Sequence, residues 1–208
     1  MHTCYIFGAL PTRHKPQPQD GDLVIAADAG CRQLGALKAD LTVGDFDSLG
    51  YVPKGEAVVR HPVRKDDTDM LLAVRQGLSR GYRRFVLLGG SGGRLDHTLA
   101  NLQTLQFLAA HGARGFLQGE EECAATVCGE TLTLIGGSGR VSVFALDASV
   151  SGVTLAGLDY PLENATLTDT FPLGVSNAFT AEPARITADG RLLVVWDGDW
   201  RQAAYTTP

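Results

Sequence analysis

Five aspartates stand where short apolar runs stop. Val24-Ile25-Ala26-Ala27 ends in Asp28, and Leu41-Thr42-Val43 ends in Gly44-Asp45-Phe46-Asp47-Ser48. Asp69 opens a helical stripe that follows Ala57-Val58-Val59. Val86-Leu87-Leu88 runs into Gly89-Gly90-Ser91-Gly92-Gly93-Arg94-Leu95-Asp96-His97. Short continuous apolar runs are the pattern of parallel strands buried on both faces, and open α/β sheets take their ligands beyond the carboxyl ends of such strands. Carboxylates gathered at one sheet edge repel one another. A hard divalent cation with oxygen ligands relieves that repulsion, and Mg²⁺ usually arrives with substrate phosphates. The chemistry these residues point to is a Mg²⁺-nucleotide site.

The pair Asp45-x-Asp47 is the centre of the argument. On an ideal strand the two carboxylates diverge; on a turn both reach one ion, and Gly44 is expected to allow the bend. A D-x-D pair also occurs in ordinary turns and in other Mg²⁺-dependent transferases, so its weight comes from Asp69, Asp28 and Asp96 at neighbouring strand ends. In Gly89 to Gly93 the glycines let backbone N–H groups approach phosphate oxygens, and the helix that follows favours anions at its N-terminus. Gly90, Ser91, Gly92 and Gly93 are therefore phosphate candidates, with Arg94 as a guanidinium fork and His97 beside it. No Gly-Lys-Ser/Thr follows, which excludes a Walker A loop. In Arg64-Lys65-Asp66-Asp67-Thr68-Asp69, Lys65 is a candidate for substrate or phosphate and Asp69 for the metal; a solvated, well-capped loop explains the same residues.

The elements that must position these residues alternate strand and helix. Tyr5-Ile6-Phe7 and Leu23 to Ala27 read as strands, and Cys31 to Leu37 as a short helix. Thr68 is the expected cap of a helix with Met70, Leu71, Val74 and Leu78 at helical spacing, ending near Gly81. Leu99, Leu102, Leu105 and Leu108 mark another helix, closed by Gly112. Such alternation implies a mainly parallel sheet covered by helices. After Glu120-Glu121-Glu122 the pattern becomes short β runs with turn signals, and Asp189-Gly190-Arg191 reads as a hairpin turn between Ala184 to Ala188 and Leu192 to Trp196. The expectation is α/β plus all-β: an α/β domain over residues 1–122 and a β-sandwich domain over residues 123–208.

Bulk properties narrow the classes. The 208 residues are 44% hydrophobic and 20% charged, which permits a buried core. A net charge of -5 argues against nucleic acid as the main partner. No apolar stretch approaches the ~20 residues that span a bilayer. Cys4, Cys31, Cys123 and Cys128 form no C-x-x-C pair, and no secretory signal precedes them, so reduced thiols in a cytoplasmic protein are expected.

Taken together, these segments resemble the thiamine pyrophosphokinase family. The resemblance rests on Asp28-Ala29-Gly30, Gly44 to Ser48, Lys65 through Asp69, and Gly92 to His97 followed by Asn101; it continues at Gly157-Leu158-Asp159-Tyr160-Pro161-Leu162 and Ser176-Asn177. It implies an N-terminal domain that holds ATP, a C-terminal sandwich that helps hold thiamine, transfer of pyrophosphate from ATP to the thiamine hydroxyl with release of AMP, and a homodimer. It implies Asp45, Asp47 and Asp69 as leading metal ligands and catalytic carboxylates, with Asp28 and Asp96 beside them. Lys65, Tyr160, Ser176 and Asn177 would contact the acceptor, Tyr160 by stacking. Two other readings of the residues stay open: a different Mg²⁺-dependent, nucleotide-using transferase, and a nucleotide-binding module without catalysis.

Overall fold

Residues sealed on both faces pair in parallel, because only helices on either side can keep such strands dry. This holds in the computed structural model, which describes residues 2–46, 50–51, 57–60 and 66–207. Two units divide between Glu120 and Glu121. The first contains β1 (Cys4–Phe7), β2 (Leu23–Ala27), β3 (Leu41–Gly44), β4 (Val58–Arg60), α1 (Asp69–Ser79), β5 (Arg84–Leu88), α2 (Leu95–Ala110) and β6 (Arg114–Gln118). Its strands run in the order β6-β5-β1-β2-β3-β4, every pair parallel. All of β1 and β2 is buried, as is β5 from Phe85 onward.

The helices follow from local chemistry. The Thr68 hydroxyl accepts from the Leu71 N–H at 3.2 Å, which satisfies one orphan donor of the first turn of α1. Met70, Ala73, Val74 and Gly77 form its buried face at i, i+3, i+4 and i+7. Arg80 closes it, with Gly81 at φ 88° behind. The buried face of α2 differs from the expected leucine stripe. Leu105 and Leu108 are sealed, but Leu99 is 53% exposed and the face continues through Thr104 and Asn101. The helix expected over Cys31 to Leu37 is also corrected. A 3-10 turn spans Asp28–Gln33 instead, and Gly35 at φ 64° ends any helical continuation.

The second unit is antiparallel throughout. It comprises β7 (Glu122–Cys128), β8 (Thr131–Leu134), β9 (Arg140–Ala145), β10 (Ser149–Ala156), β11 (Leu162–Thr168), β12 (Gly174–Ala178), β13 (Ala184–Thr187), β14 (Arg191–Asp197) and β15 (Ala203–Thr206). One sheet has the order β12-β9-β14-β7 and the other β11-β10-β13-β8-β15. Strand β8 shows the period-2 pattern of a half-buried sheet: Leu132 and Leu134 are sealed, Thr131 and Thr133 are not. Val141, Val143, Leu192, Val194 and Trp196 fill the core from the other sheet. The Tyr205 hydroxyl donates to the Thr126 carbonyl at 2.8 Å and so ties β15 to β7 of the opposite sheet. This is a β-sandwich, and the α/β domain plus sandwich is the fold class the sequence led us to expect.

The turn at Asp189-Gly190-Arg191 is not a hairpin. Strand β13 lies in one sheet, paired with β8 and β10, and β14 in the other, paired with β7 and β9. The turn residues bond elsewhere: Asp189 N–H donates to the Ser151 carbonyl at 3.0 Å and Arg191 N–H to Asp147 Oδ2 at 3.0 Å. These long-range partners win over local pairing and pass the chain between sheets. The segment after Trp196, which the sequence left unassigned, is a capped turn and an added strand. Asp199 caps the 3-10 turn Trp200–Gln202, and β15 pairs with β8.

Gly77 offers a test of this packing, because propensity and sterics disagree there. Alanine is favoured over glycine inside a helix by ~1 kcal/mol. A Cβ on Gly77, however, would stand 2.5 Å from Phe85 Cε1 and 3.0 Å from Cys4 Sγ, both fully buried. Overpacking of this kind costs ~1–3 kcal/mol. Gly77→Ala should therefore lower the urea midpoint of unfolding; a raised midpoint would show that α1 shifts freely on the sheet.

Candidate active site

A cavity of about 350 Å³ lies at the carboxyl ends of β1, β2 and β5, where the N-termini of α1 and α2 also meet. Asp28, Asp69, Gly90, Arg94, His97 and Asn101 are among its lining residues. Of the candidates read from the sequence, the structure thus brings together two aspartates, one loop glycine, the arginine and the histidine. Ser91, Gly92 and Gly93 continue the loop outside the lining. Asp47 and Lys65 lie outside the described residues.

Asp28 is the unusual group. It is 7% exposed, its backbone is left-handed at φ 44°, and its Oδ1 is buried with no hydrogen-bond partner among the described residues. A left-handed non-glycine residue is uncommon and costs of order 1–3 kcal/mol, so its surroundings must hold it there. They do so by close approach. A Cβ on Gly44 would sit 3.1 Å from Asp28 Cα, and one on Gly30 would sit 1.8 Å from the Phe7 carbonyl oxygen. Gly44 therefore supplies room for Asp28. The expected bend lies two residues further on, at Phe46 with φ 65°. Phe46 is 3% exposed and packs against Ala29, Cys31 and Val58, which anchors the turn that carries half-buried Asp45.

Asp69 is half-buried and opens α1, fixed by the Thr68 cap just before it. Arg75 Nε pairs with Asp67 Oδ2 at 2.8 Å and steadies the same segment. Asp96 is differently placed from the expected ligand set. It is absent from the cavity lining, and Arg94 holds both its oxygens, Nε to Oδ1 at 3.1 Å and Nη2 to Oδ2 at 2.5 Å. The hydrogen bonds from Arg94 keep its carboxyl below the usual carboxylate range. Asp96 Oδ1 also accepts from the His97 N–H at 2.9 Å, within the first turn of α2, where a carboxylate suits the helix dipole.

Among the described residues no three His, Cys, Asp or Glu side chains converge tightly enough to hold a metal on their own. The chemistry of the site still suits a hard cation. A buried carboxylate oxygen with no hydrogen-bond partner among the described residues, in a cavity that a second aspartate also lines, is the kind of donor such an ion takes. Asn101 was quoted with the sequence motif but not assigned a role there. It is 6% exposed and donates from Nδ2 to the Gly90 carbonyl at 2.7 Å. Its signal in the sequence was a polar residue in register with the buried leucines of α2.

A second cavity, of about 420 Å³, belongs to the sandwich unit and is lined by Tyr160, Leu162, Val175, Ser176 and Asn177 among others. Tyr160 is 72% exposed, so its ring is not a core residue. Asn177 is 4% exposed and its amide is committed to the backbone of Tyr160: Oδ1 accepts from the Tyr160 N–H at 2.9 Å, and Nδ2 donates to the Tyr160 carbonyl at 2.7 Å. Ser176 is left-handed at φ 60°, within an irregularity in the pairing of β12 with β9.

Two family models match the chain. Residues 18–117 match the thiamin pyrophosphokinase catalytic domain, and residues 136–193 match the thiamin pyrophosphokinase vitamin B1 binding domain. The chain belongs to the thiamin pyrophosphokinase family. It is an enzyme of that activity, a pyrophosphoryl transferase with thiamine as acceptor. No curated protein matches the sequence significantly. Solved structures of similar fold include thiamine pyrophosphokinase from Bacillus subtilis, with TM-score 0.81 and 22% identity over 95% of this chain and 99% of that one. Thiamin pyrophosphokinase from Geobacillus thermodenitrificans aligns with TM-score 0.79 and 22% identity, covering 96% and 99%. Thiamin pyrophosphokinase from Candida albicans aligns at 0.74 with 13% identity, covering 95% and 89%. These likenesses show that the thiamin pyrophosphokinase fold persists at low identity.

Asp28→Asn separates function from stability at this site. Asparagine tolerates the left-handed conformation and carries no charge to bury. An unsatisfied buried polar group costs ~1–3 kcal/mol, more when charged. In buffer with a chelator the variant should melt at or above the parent temperature, by scanning calorimetry. A large fall would mean that the Asp28 carboxylate already has a stabilising partner within the protein.

Proposed function

We propose that the parallel-sheet unit holds ATP and Mg²⁺, that the sandwich holds thiamine, and that pyrophosphate passes from ATP to the thiamine hydroxyl. The observation that carries this reading is the unpartnered, buried Asp28 oxygen in a cavity bounded by a glycine loop and the start of a 16-residue helix. Loop amides and a helix N-terminus favour phosphate oxygens, and the carboxylates favour the cation that accompanies them. Asp28 and Asp69 are the cavity-lining ligands in this reading; Asp45, just after β3, and Asp47, outside the described residues, are assigned beside them by the family resemblance. Asp96 acts through Arg94, orienting its guanidinium at the cavity.

When bound, Mg²⁺ supplies neutralisation of triphosphate charge. The chain itself contributes orientation. The thiamine hydroxyl oxygen bonds to the β-phosphorus of ATP, the bond from that phosphorus to the α-bridging oxygen breaks, AMP leaves, and the hydroxyl proton is lost to solvent or a carboxylate. Positioning and charge stabilisation carry phosphoryl transfer, so no dedicated protein base is required. On the acceptor side, the exposed Tyr160 ring, held by the Asn177 clamp on its backbone, is suited to stack on a cationic heterocycle.

A homodimer is part of the proposal, supported by exposed Phe171, Leu173 and Val175 on the sandwich. A cytoplasmic location is supported by four cysteines that are all free thiols. No described helix is long and apolar enough to cross a membrane.

Mass identification of both products tests the reaction: AMP and thiamine diphosphate are expected, whereas ADP would mean transfer of a single phosphoryl group. A cation–π contact is worth ~0.5–2 kcal/mol. Tyr160→Ala should therefore raise KM for thiamine several-fold with KM for ATP nearly unchanged, and Tyr160→Phe should be nearly silent. Equal effects of Tyr160→Ala on both substrates would rule out this division of labour.

A further inference from the structure

The backbone of the glycine loop is not held by glycines alone. Leu10 N–H donates to the Gly89 carbonyl at 3.1 Å, and Gly89 at φ 64° has no room for a Cβ, which would lie 2.3 Å from the Leu10 carbonyl oxygen. The next carbonyl, that of Gly90, is taken by Asn101 Nδ2 at 2.7 Å from two turns into α2. Both partners line the cavity. A carbonyl oxygen turned into a phosphate site repels the anion, whereas an N–H attracts it. In a trans peptide the carbonyl and the following N–H point opposite ways, and no described peptide is cis. Anchoring the Gly90 carbonyl on Asn101 therefore fixes the direction of the Ser91 N–H as well. A Cβ at Gly90 would stand 2.9 Å from Asn101 Nδ2, so the two residues are fitted to each other.

We propose that Asn101 is a positioning residue for the nucleotide: it withdraws the Gly90 carbonyl from the triphosphate and so holds the cavity-lining part of the glycine loop in one orientation. This rests on ATP occupying the first cavity. The role belongs to the amide donor, not to the volume of the side chain. A leucine of similar size fills the space but leaves the carbonyl unpartnered, and the peptide is then free to turn over.

The experiment uses the full chain, with ATP and thiamine kinetics and the ATP-induced rise in melting temperature for Asn101→Leu, Asn101→Gln and Asp28→Asn. Losing one oriented donor corresponds to about tenfold. Asn101→Leu should raise KM for ATP by about that factor, with KM for thiamine within about twofold, and should lose most of the ATP-induced shift. Asn101→Gln, which keeps an amide, should recover most of both. If Asn101→Leu does not fold, Asn101→Asp, matched in shape but without a donor when ionised, takes its place. An unchanged KM for ATP, equal rises for both substrates, or a glutamine variant as impaired as leucine would overturn the proposal. Asp28→Asn distinguishes the two levels. If it also leaves ATP binding unmoved, ATP does not occupy this cavity and both readings fall; if Asp28 responds and Asn101 does not, only the role of Asn101 falls.

Discussion

A carboxylate oxygen without a hydrogen-bond partner among the described residues, closed in by backbone, is the constraint around which the first unit is arranged. Asp28 can sit where it does only because its neighbours give up side chains. Gly44 lets β3 approach it, and Gly30 lets the following turn press on the carbonyl at the end of β1. The parallel sheet makes this geometry available, since it delivers the ends of β1, β2, β3 and β5 to one edge. The energetic consequence is a folded state in which a buried carboxylate oxygen lacks a hydrogen bond among the described residues, at a place where the backbone is also strained.

Both cavities solve the same mechanical problem in the same way. A loop must present a group to a ligand without moving, yet loops lack the hydrogen-bond ladders that stiffen helices and strands. In each unit a buried asparagine on a regular element supplies the missing bonds. Asn101, in α2, holds the carbonyl of Gly90; Asn177, in β12, holds both backbone groups of Tyr160. An amide suits this task because it offers both a donor and an acceptor and carries no charge. A carboxylate in either place would meet a carbonyl oxygen with a second oxygen.

The sequence made some of this plain and concealed the rest, for identifiable reasons. The strands of the first unit were legible because burial on both faces writes an uninterrupted apolar run, as in Val24 to Ala27. The Thr68 cap and the end of α1 were legible because their chemistry is local. What misled was local patterning overruled from a distance. Asp189-Gly190-Arg191 has the composition of a hairpin turn, but Ser151 and Asp147 take its backbone and side-chain bonds and send the chain to the other sheet. Leu99 completes a leucine stripe on paper, yet the stripe rotates so that Thr104 and Asn101 face inward near the cavity.

The site residues divide along the same line. Asp28, Asp69, Arg94 and His97, nominated by their types and their places after apolar runs, all line the first cavity. Asp96 was nominated by the same rule and is instead gripped by Arg94, two residues away, a pairing that strand-end position does not reveal. Asn101 escaped assignment because a buried polar residue on a helix looks like a flaw in an apolar stripe until its partner is known. The partner here is a backbone carbonyl, and every residue has one, so composition cannot point to it. A sequence therefore announces the groups that touch a ligand more readily than the groups that aim them. Here the two asparagine amides hold backbone groups beside the two cavities, and Asp28, Phe46 and Ser176 are left-handed, none of them unusual in type and all of them unusual in place.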